Sequence, residues 1–177
     1  GYSGEPCAVA QGPQARIETY AVDDVDVCFY TTYRLFLDLP PNALDVYAMW
    51  SDGAHPISLP AAWMHPAATD NYHAPSSLFA QMFPTLALSS YVALGPSDDS
   101  VPSTEFMVSG PFLDAWGADT AVSTDPTDET GWSFFWSDPS APTTEGSAWC
   151  PPEAGGPLWG SSPMIAQLTL PTDSSWQ

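Results

Sequence analysis

Residues 28–39 carry the clearest alternation in the chain: Cys28-Phe-Tyr-Thr-Thr-Tyr-Arg-Leu-Phe-Leu-Asp-Leu. Successive side chains of a strand point to opposite faces, so Tyr33, Leu35, Leu37 and Leu39 share one face. Thr32, Arg34, Phe36 and Asp38 share the other. Pro40-Pro41 ends the run, because proline cannot donate to a ladder. Upstream, Arg16-Ile-Glu-Thr-Tyr-Ala (16–21) alternates as a half-buried strand does. Further strands are predicted at Asp45–Trp50, Tyr91–Leu94, Glu105–Val108, Gly131–Trp136 and Met164–Leu170. The separating turns are Ser51-Asp52-Gly53, Gly95-Pro96-Ser97-Asp98, Gly110-Pro111 and Asp138-Pro139. Only Ser76–Phe83 has a helical pattern. Ser76 is the candidate cap, Leu78/Met82 and Phe79/Phe83 are i,i+4 pairs, and Pro84 is the stop.

Many short strands with Pro/Gly turns predict an all-β fold, an antiparallel β-sandwich of jelly-roll or immunoglobulin-like type, with one or two short helices at most. Residues 1–15 read as an N-terminal arm and 16–177 as a single domain. No internal repeat or domain linker is visible. Residues 138–163 form a long Pro-, Ser-, Thr- and Gly-rich loop. Loops of that length are uncommon unless functional or pinned, and Cys150 within it is a candidate pin.

Composition narrows the partners. The chain has 177 residues, no lysine, two arginines (Arg16 and Arg34) and 21 acids, for a formal net charge of -19. Ordinary chains are about 25% charged, roughly half of that acidic. Here the charged fraction is 13%, so bases have been removed rather than acids added. Such a chain cannot neutralise a phosphate backbone, which excludes nucleic acid as a partner. Anionic lipid repels it too. No stretch reaches the ~18 apolar residues of a membrane span. Gly1 reads as a processed end with the signal peptide already removed, an artificially added residue being the alternative, and the near absence of cationic side chains predicts a place outside the cell or on its surface.

Cys7, Cys28 and Cys150 form no C-x-x-C pair, so a zinc or thioredoxin-type site has no support. In an exported protein, one disulfide and one leftover thiol are expected. Cys7–Cys150 is favoured, with Cys28 buried beside its apolar strand. The other two pairings stay open, as does a cross-link between subunits through the odd thiol.

Three acidic clusters could hold a divalent cation: Asp23, Asp24 and Asp26; Asp98 and Asp99; Asp125, Asp128 and Glu129. Calcium takes six to eight oxygens, which acidic turns and their carbonyls can supply. Solvated acidic turns are the plainer alternative for each. His55, His65 and His73 match no zinc spacing and read as surface or loop histidines. Trp132, Phe134 and Trp136 put their rings on one side of a strand. That side is either core or a flat strip for stacking on sugar or another subunit. Trp63, Trp116, Trp149, Trp159 and Trp176 lie in loop-like sequence and pose the same choice. No G-x-S-x-G, H-E-x-x-H, G-x-G-x-x-G or P-loop pattern occurs. Arg16 and Arg34 fall on neighbouring strands, with Glu18 and Asp38 as nearby acids. They form either a wet cross-strand ion pair or a grip on an adjacent subunit.

Three segments carry a resemblance. Thr31-Thr-Tyr-Arg-Leu-Phe-Leu-Asp-Leu with Val46-Tyr-Ala-Met-Trp-Ser-Asp-Gly-Ala-His-Pro-Ile is similar to the opening of an uncharacterised secreted β-rich domain of marine bacteria, planctomycetes and some algae. Met82-Phe-Pro-Thr-Leu-Ala-Leu-Ser-Ser-Tyr-Val-Ala-Leu-Gly resembles that family's "FPDLxxDSxVTIG" segment. Ile165-Ala-Gln-Leu-Thr-Leu resembles its closing strand. Thr85 and Ser89 replace the usual acids. The resemblance implies a secreted β-rich domain and transfers no catalytic residue.

The sequence therefore predicts a non-enzymatic extracellular structural protein that assembles with copies of itself into a filament or surface layer, with divalent cations such as Ca²⁺ assisting. Trp132, Trp136, Arg16 and Arg34 are its candidate contacts. The alternative is a carbohydrate-binding module using loop tryptophans.

Overall fold

Strand alternation organises the molecule. A computed structural model describes residues 12–22, 29–40, 46, 48–52, 54–68, 71, 74–95, 106–109, 113–124, 132–136 and 162–173. These residues are mostly β-strand in antiparallel sheets, with one short α-helix. The strands are β1 (Gln14–Val22), β2 (Tyr30–Asp38), β3 (Ala48–Ser51), β4 (Ser58–Leu59), β5 (Tyr91–Gly95), β6 (Phe106–Ser109), β7 (Val122–Ser123), β8 (Trp132–Trp136) and β9 (Met164–Pro171). The helix α1 spans Ser77–Met82, and a 3-10 helix spans Pro84–Leu88.

The largest sheet has the order β1-β2-β9-β5. Its register follows the period-two pattern. Tyr33 and Leu35 of β2 and Val92 and Leu94 of β5 meet Ala166, Leu168 and Leu170 of β9 on one face. A register shift between Leu35 and Phe36 turns Met164 to the opposite face, where it packs with Phe36, Tyr91 and Ala93. β9 thus has apolar or satisfied side chains on both faces, as a central strand requires.

A second sheet has the order β3-β8-β6. Trp132 and Phe134 of β8 join the same core cluster as β2, β5 and β9, with their rings stacked at 6.2 Å. Met49, opposite Phe134, packs there too. The next residue, Trp50, points the other way and is 59% exposed. β4 and β7 form a two-stranded sheet of two residues each. Neither was predicted, because two residues are too few to show a period.

The turn after β3 is held by Asp52. One of its oxygens accepts from the backbone N–H groups of Ala54 and His55 at 2.9 and 2.8 Å, and the His55 ring lies 3.0 Å away. Desolvation pushes the Asp52 carboxyl up, but the His55 N–H, the His55 ring and the Ala54 N–H outweigh it and hold it below its ordinary value.

One expectation is corrected in detail. Ser76 sits at the N-cap of α1, but its hydroxyl makes no cap bond; its carbonyl instead accepts from Ala80 N–H at 2.9 Å. The apolar side chains of α1 face outward: Leu78, Phe79 and Met82 are all exposed.

Phe29 enters β2 with φ of 71°, in the left-handed region, and its ring is 79% exposed. A bulky side chain there costs about 1–2 kcal/mol and gains little burial. Phe29→Asn should therefore raise stability by about 0.5–1 kcal/mol, seen as a higher urea midpoint with an unchanged slope. A lower midpoint would contradict the strain.

Candidate functional site

Segment 84–90 lies across the polar face of β9 and is tied to it by side chains. Gln167 is fully buried, and its amide nitrogen donates to the carbonyls of Ala87 and Ser89 at 2.8 and 2.9 Å. Its oxygen accepts from Arg34 Nε at 2.9 Å. Two residues on, the Thr169 hydroxyl bonds the Leu88 carbonyl and lies 2.8 Å from the Thr32 hydroxyl. The Thr169 N–H donates to Ser90 Oγ at 2.8 Å. Each buried polar group here has a partner, which is the condition for burying them at all.

Segment 61–68 closes the other side. Trp63 N–H donates to the Thr169 carbonyl at 2.8 Å, and Ser90 N–H donates to the Trp63 carbonyl at 3.1 Å. His65 N–H donates to Ser89 Oγ at 3.0 Å. The rings of Trp63, His65 and Phe83 run in a row, with centroids 5.9 and 6.1 Å apart.

These ties leave an apolar cleft of about 210 Å³ between the two segments. Phe79 and Phe83 of the helix region and Leu86 line one part; Ala67 and Ala68 line another. Beside it, α1 and its C-cap residue present Leu78, Phe79, Met82 and Phe83 at 64, 54, 64 and 43% exposure. The cleft and this ridge form one apolar surface.

The sequence-predicted contacts distribute differently. Trp132 is 3% exposed and sits in the core, so β8 follows the core alternative at that position. Trp136 occupies the last position of β8. Trp116 is buried, with its indole N–H donating to the Pro60 carbonyl at 2.7 Å. Arg16 pairs with both candidate acids: Nε reaches the Asp38 oxygens at 3.0 and 3.1 Å, and Nη1 bonds Glu18. Its guanidinium also lies 4.6 Å above the Phe36 ring. Arg34 takes Gln167 instead of a carboxylate and stacks 3.6 Å over Tyr20.

Asp23, Asp24, Asp26, Asp98, Asp99, Asp125, Asp128 and Glu129 lie outside the described residues, as do Cys7, Cys28, Cys150 and His73. Among the described residues no group of three or more His, Cys, Asp or Glu side chains is placed to hold a metal, and no helix is long and apolar enough to cross a membrane.

Sequence reading missed Gln167, Ser89 and Ser90. The one signal for Gln167 was its position as an amide within an apolar strand, Ile165-Ala-Gln-Leu. No protein-family model matches the chain, and neither a curated protein nor a solved structure matches it significantly.

Two outcomes test this arrangement. Gln167→Leu removes the partners of two carbonyls and of the Arg34 Nε. It should cost about 3 kcal/mol or more and expose the Trp63 backbone amide to hydrogen exchange. Asp38 is the pH-sensitive group. The Ser162 hydroxyl bonded to it lowers its pKa most; burial opposes, and Arg16 lowers it further, leaving it below its ordinary 3.8. A depressed carboxylate contributes stability above the unfolded value and loses it as pH falls through the folded one. Because the pair is half-exposed, Asp38→Asn should cost under about 1 kcal/mol at neutral pH. The gap to wild type should close as the pH falls below 3.8. A gap that persists in strong acid would contradict this.

Proposed function

We propose that this chain is an extracellular structural unit that assembles with copies of itself into a filament or surface layer, its two larger sheets packed face to face as a sandwich. The observation that carries the reading is the apolar ridge of α1 with its adjoining cleft. Exposed apolar surface that continuous is a mark of an interaction site. It occurs on a chain with a net charge of -19, whose copies repel one another at a distance. Divalent cations screen that repulsion, and the acidic clusters named above are where they would gather. The near absence of cationic side chains and the resemblance of residues 31–39 and 82–95 to secreted domains support a place outside the cell.

A second reading is favoured by one observation. Trp50 is 59% exposed on the outer side of β3, with the His55 ring edge-on at 6.0 Å. Its exposed indole offers a platform on which a sugar ring can stack.

Particle size measured with calcium, with a chelator, and for Met82→Glu tests the first reading. Calcium should produce large assemblies, and the chelator and the substitution should each dissolve them. A monomer in every condition at high protein concentration overturns it. Indole emission that shifts on adding one polysaccharide, without a change in particle size, selects the glycan reading instead.

A further inference from the structure

We infer that β1 pairs antiparallel with β1 of a second copy, in the register that sets Arg16 opposite Glu18 on both sides of a two-fold axis through Ile17. The inference rests on the self-association reading above and locates one contact within it.

Among the described residues no strand pairs with the outer edge of β1. At the other end of the sheet, β5 is buried from Tyr91 through Leu94 and offers no such edge. β1 has nine residues, most of them exposed. Ile17, Tyr20 and Val22 are 51, 47 and 61% exposed. Natural sheets blunt exposed edges with charged side chains, proline, bulges or inward-facing charges, and an edge whose charges are all of one sign also repels a second copy of itself. β1 carries one Arg and one Glu, so its net charge is zero.

That neutrality chooses the occupant. Two chains of charge -19 repel almost anywhere they touch, but two β1 strands do not. In an antiparallel pair, residue numbers across the ladder sum to a constant. A sum of 34 pairs Arg16 with Glu18, Glu18 with Arg16, Ile17 with Ile17 and Ala15 with Thr19. A sum of 32 sets Arg16 against Arg16, and a sum of 36 sets Glu18 against Glu18. Cross-strand opposite charges stabilise a pair and like charges destabilise it, so the first register wins.

The local geometry suits it. The register shift opposite β2 falls between Thr19 and Ala21, which leaves Gln14–Thr19 regular, the stretch the new ladder uses. The Arg16 and Glu18 side chains remain 38 and 53% exposed, so both can reach across the edge while keeping their own ion pair. A two-fold axis normal to the sheet keeps like faces together, so the exposed Ile17 side chains cover one another. The contact is isologous and closes as a dimer. Extension into a filament then requires a second surface, which the α1 ridge supplies.

Sedimentation equilibrium on the full chain tests the pairing, in a Met82→Glu background so that the ridge does not contribute. The parent should be a dimer. R16E and E18R, each shown folded by circular dichroism, should each self-associate at least about tenfold more weakly, since each sets like charges against one another twice. Mixed together they should form a heterodimer, because one strand then carries two acids and the other two arginines. A mixture that stays as monomeric as its components overturns the pairing, as do single variants that dimerise like the parent. A monomeric parent beside an assembling wild type overturns the pairing while leaving assembly through α1 intact. A wild type monomeric throughout overturns both.

Discussion

The buried amide of Gln167 is the constraint on which the arrangement depends. It uses its oxygen for Arg34 and its nitrogen for two carbonyls of segment 84–90. Burying an amide is tolerable only when its hydrogen bonds are made, and a half-satisfied one costs about 1–3 kcal/mol for each group left bare. Those bonds fix segment 84–90 against β9, and with it the wall of the cleft and the start of β5. On the other side, the same bond orients Arg34, whose guanidinium lies over Tyr20 of β1. One side chain therefore links the apolar cleft to the exposed edge strand.

The electrostatics follow the same line. Both cations of the chain sit on the β1–β2 pair. Arg34 is used inside the sheet, against an amide and an aromatic face. Arg16 is used at its margin, against Asp38, Glu18 and the Phe36 ring. Exposed ion pairs of this kind add little stability, about 0–1 kcal/mol. Their larger effect is local: they cancel charge along a single strand of an otherwise anionic molecule. Exposed apolar side chains occur on that strand and on the short helix, so attraction is available in one place where repulsion has been cancelled and in another where apolar area is large.

How far the sequence was readable depended on the length and locality of each signal. β2 was legible because alternation over a dozen residues names it and Pro40-Pro41 ends it, while β5, β8 and β9 were legible as short apolar-rich runs, with turn residues bounding β5 and β8. The faces of β2 were legible for the same reason. β4 and β7 were not, since two residues have no period. The Arg16 ion pairs were within reach, because Glu18 is two positions away and Asp38 lies on the adjoining strand. The role of Gln167 was not, because its partners are the carbonyls of Ala87 and Ser89, some eighty positions distant, and a backbone carbonyl has no residue type.

Alone, the chain of residues determined which side chains share a face, where strands must stop, and that almost no cationic charge is available for partners. It could not determine which of two faces is covered. Trp132 and Phe134 went inward because β2, β5 and β9 supply the apolar side chains they pack with, whereas Leu78, Phe79 and Met82 stayed in solvent because no described segment crosses their helix. Alternation and helical spacing define sides relative to one another. Only the approach of distant segments, with the hydrogen bonds and buried area that approach brings, decides which side becomes interior.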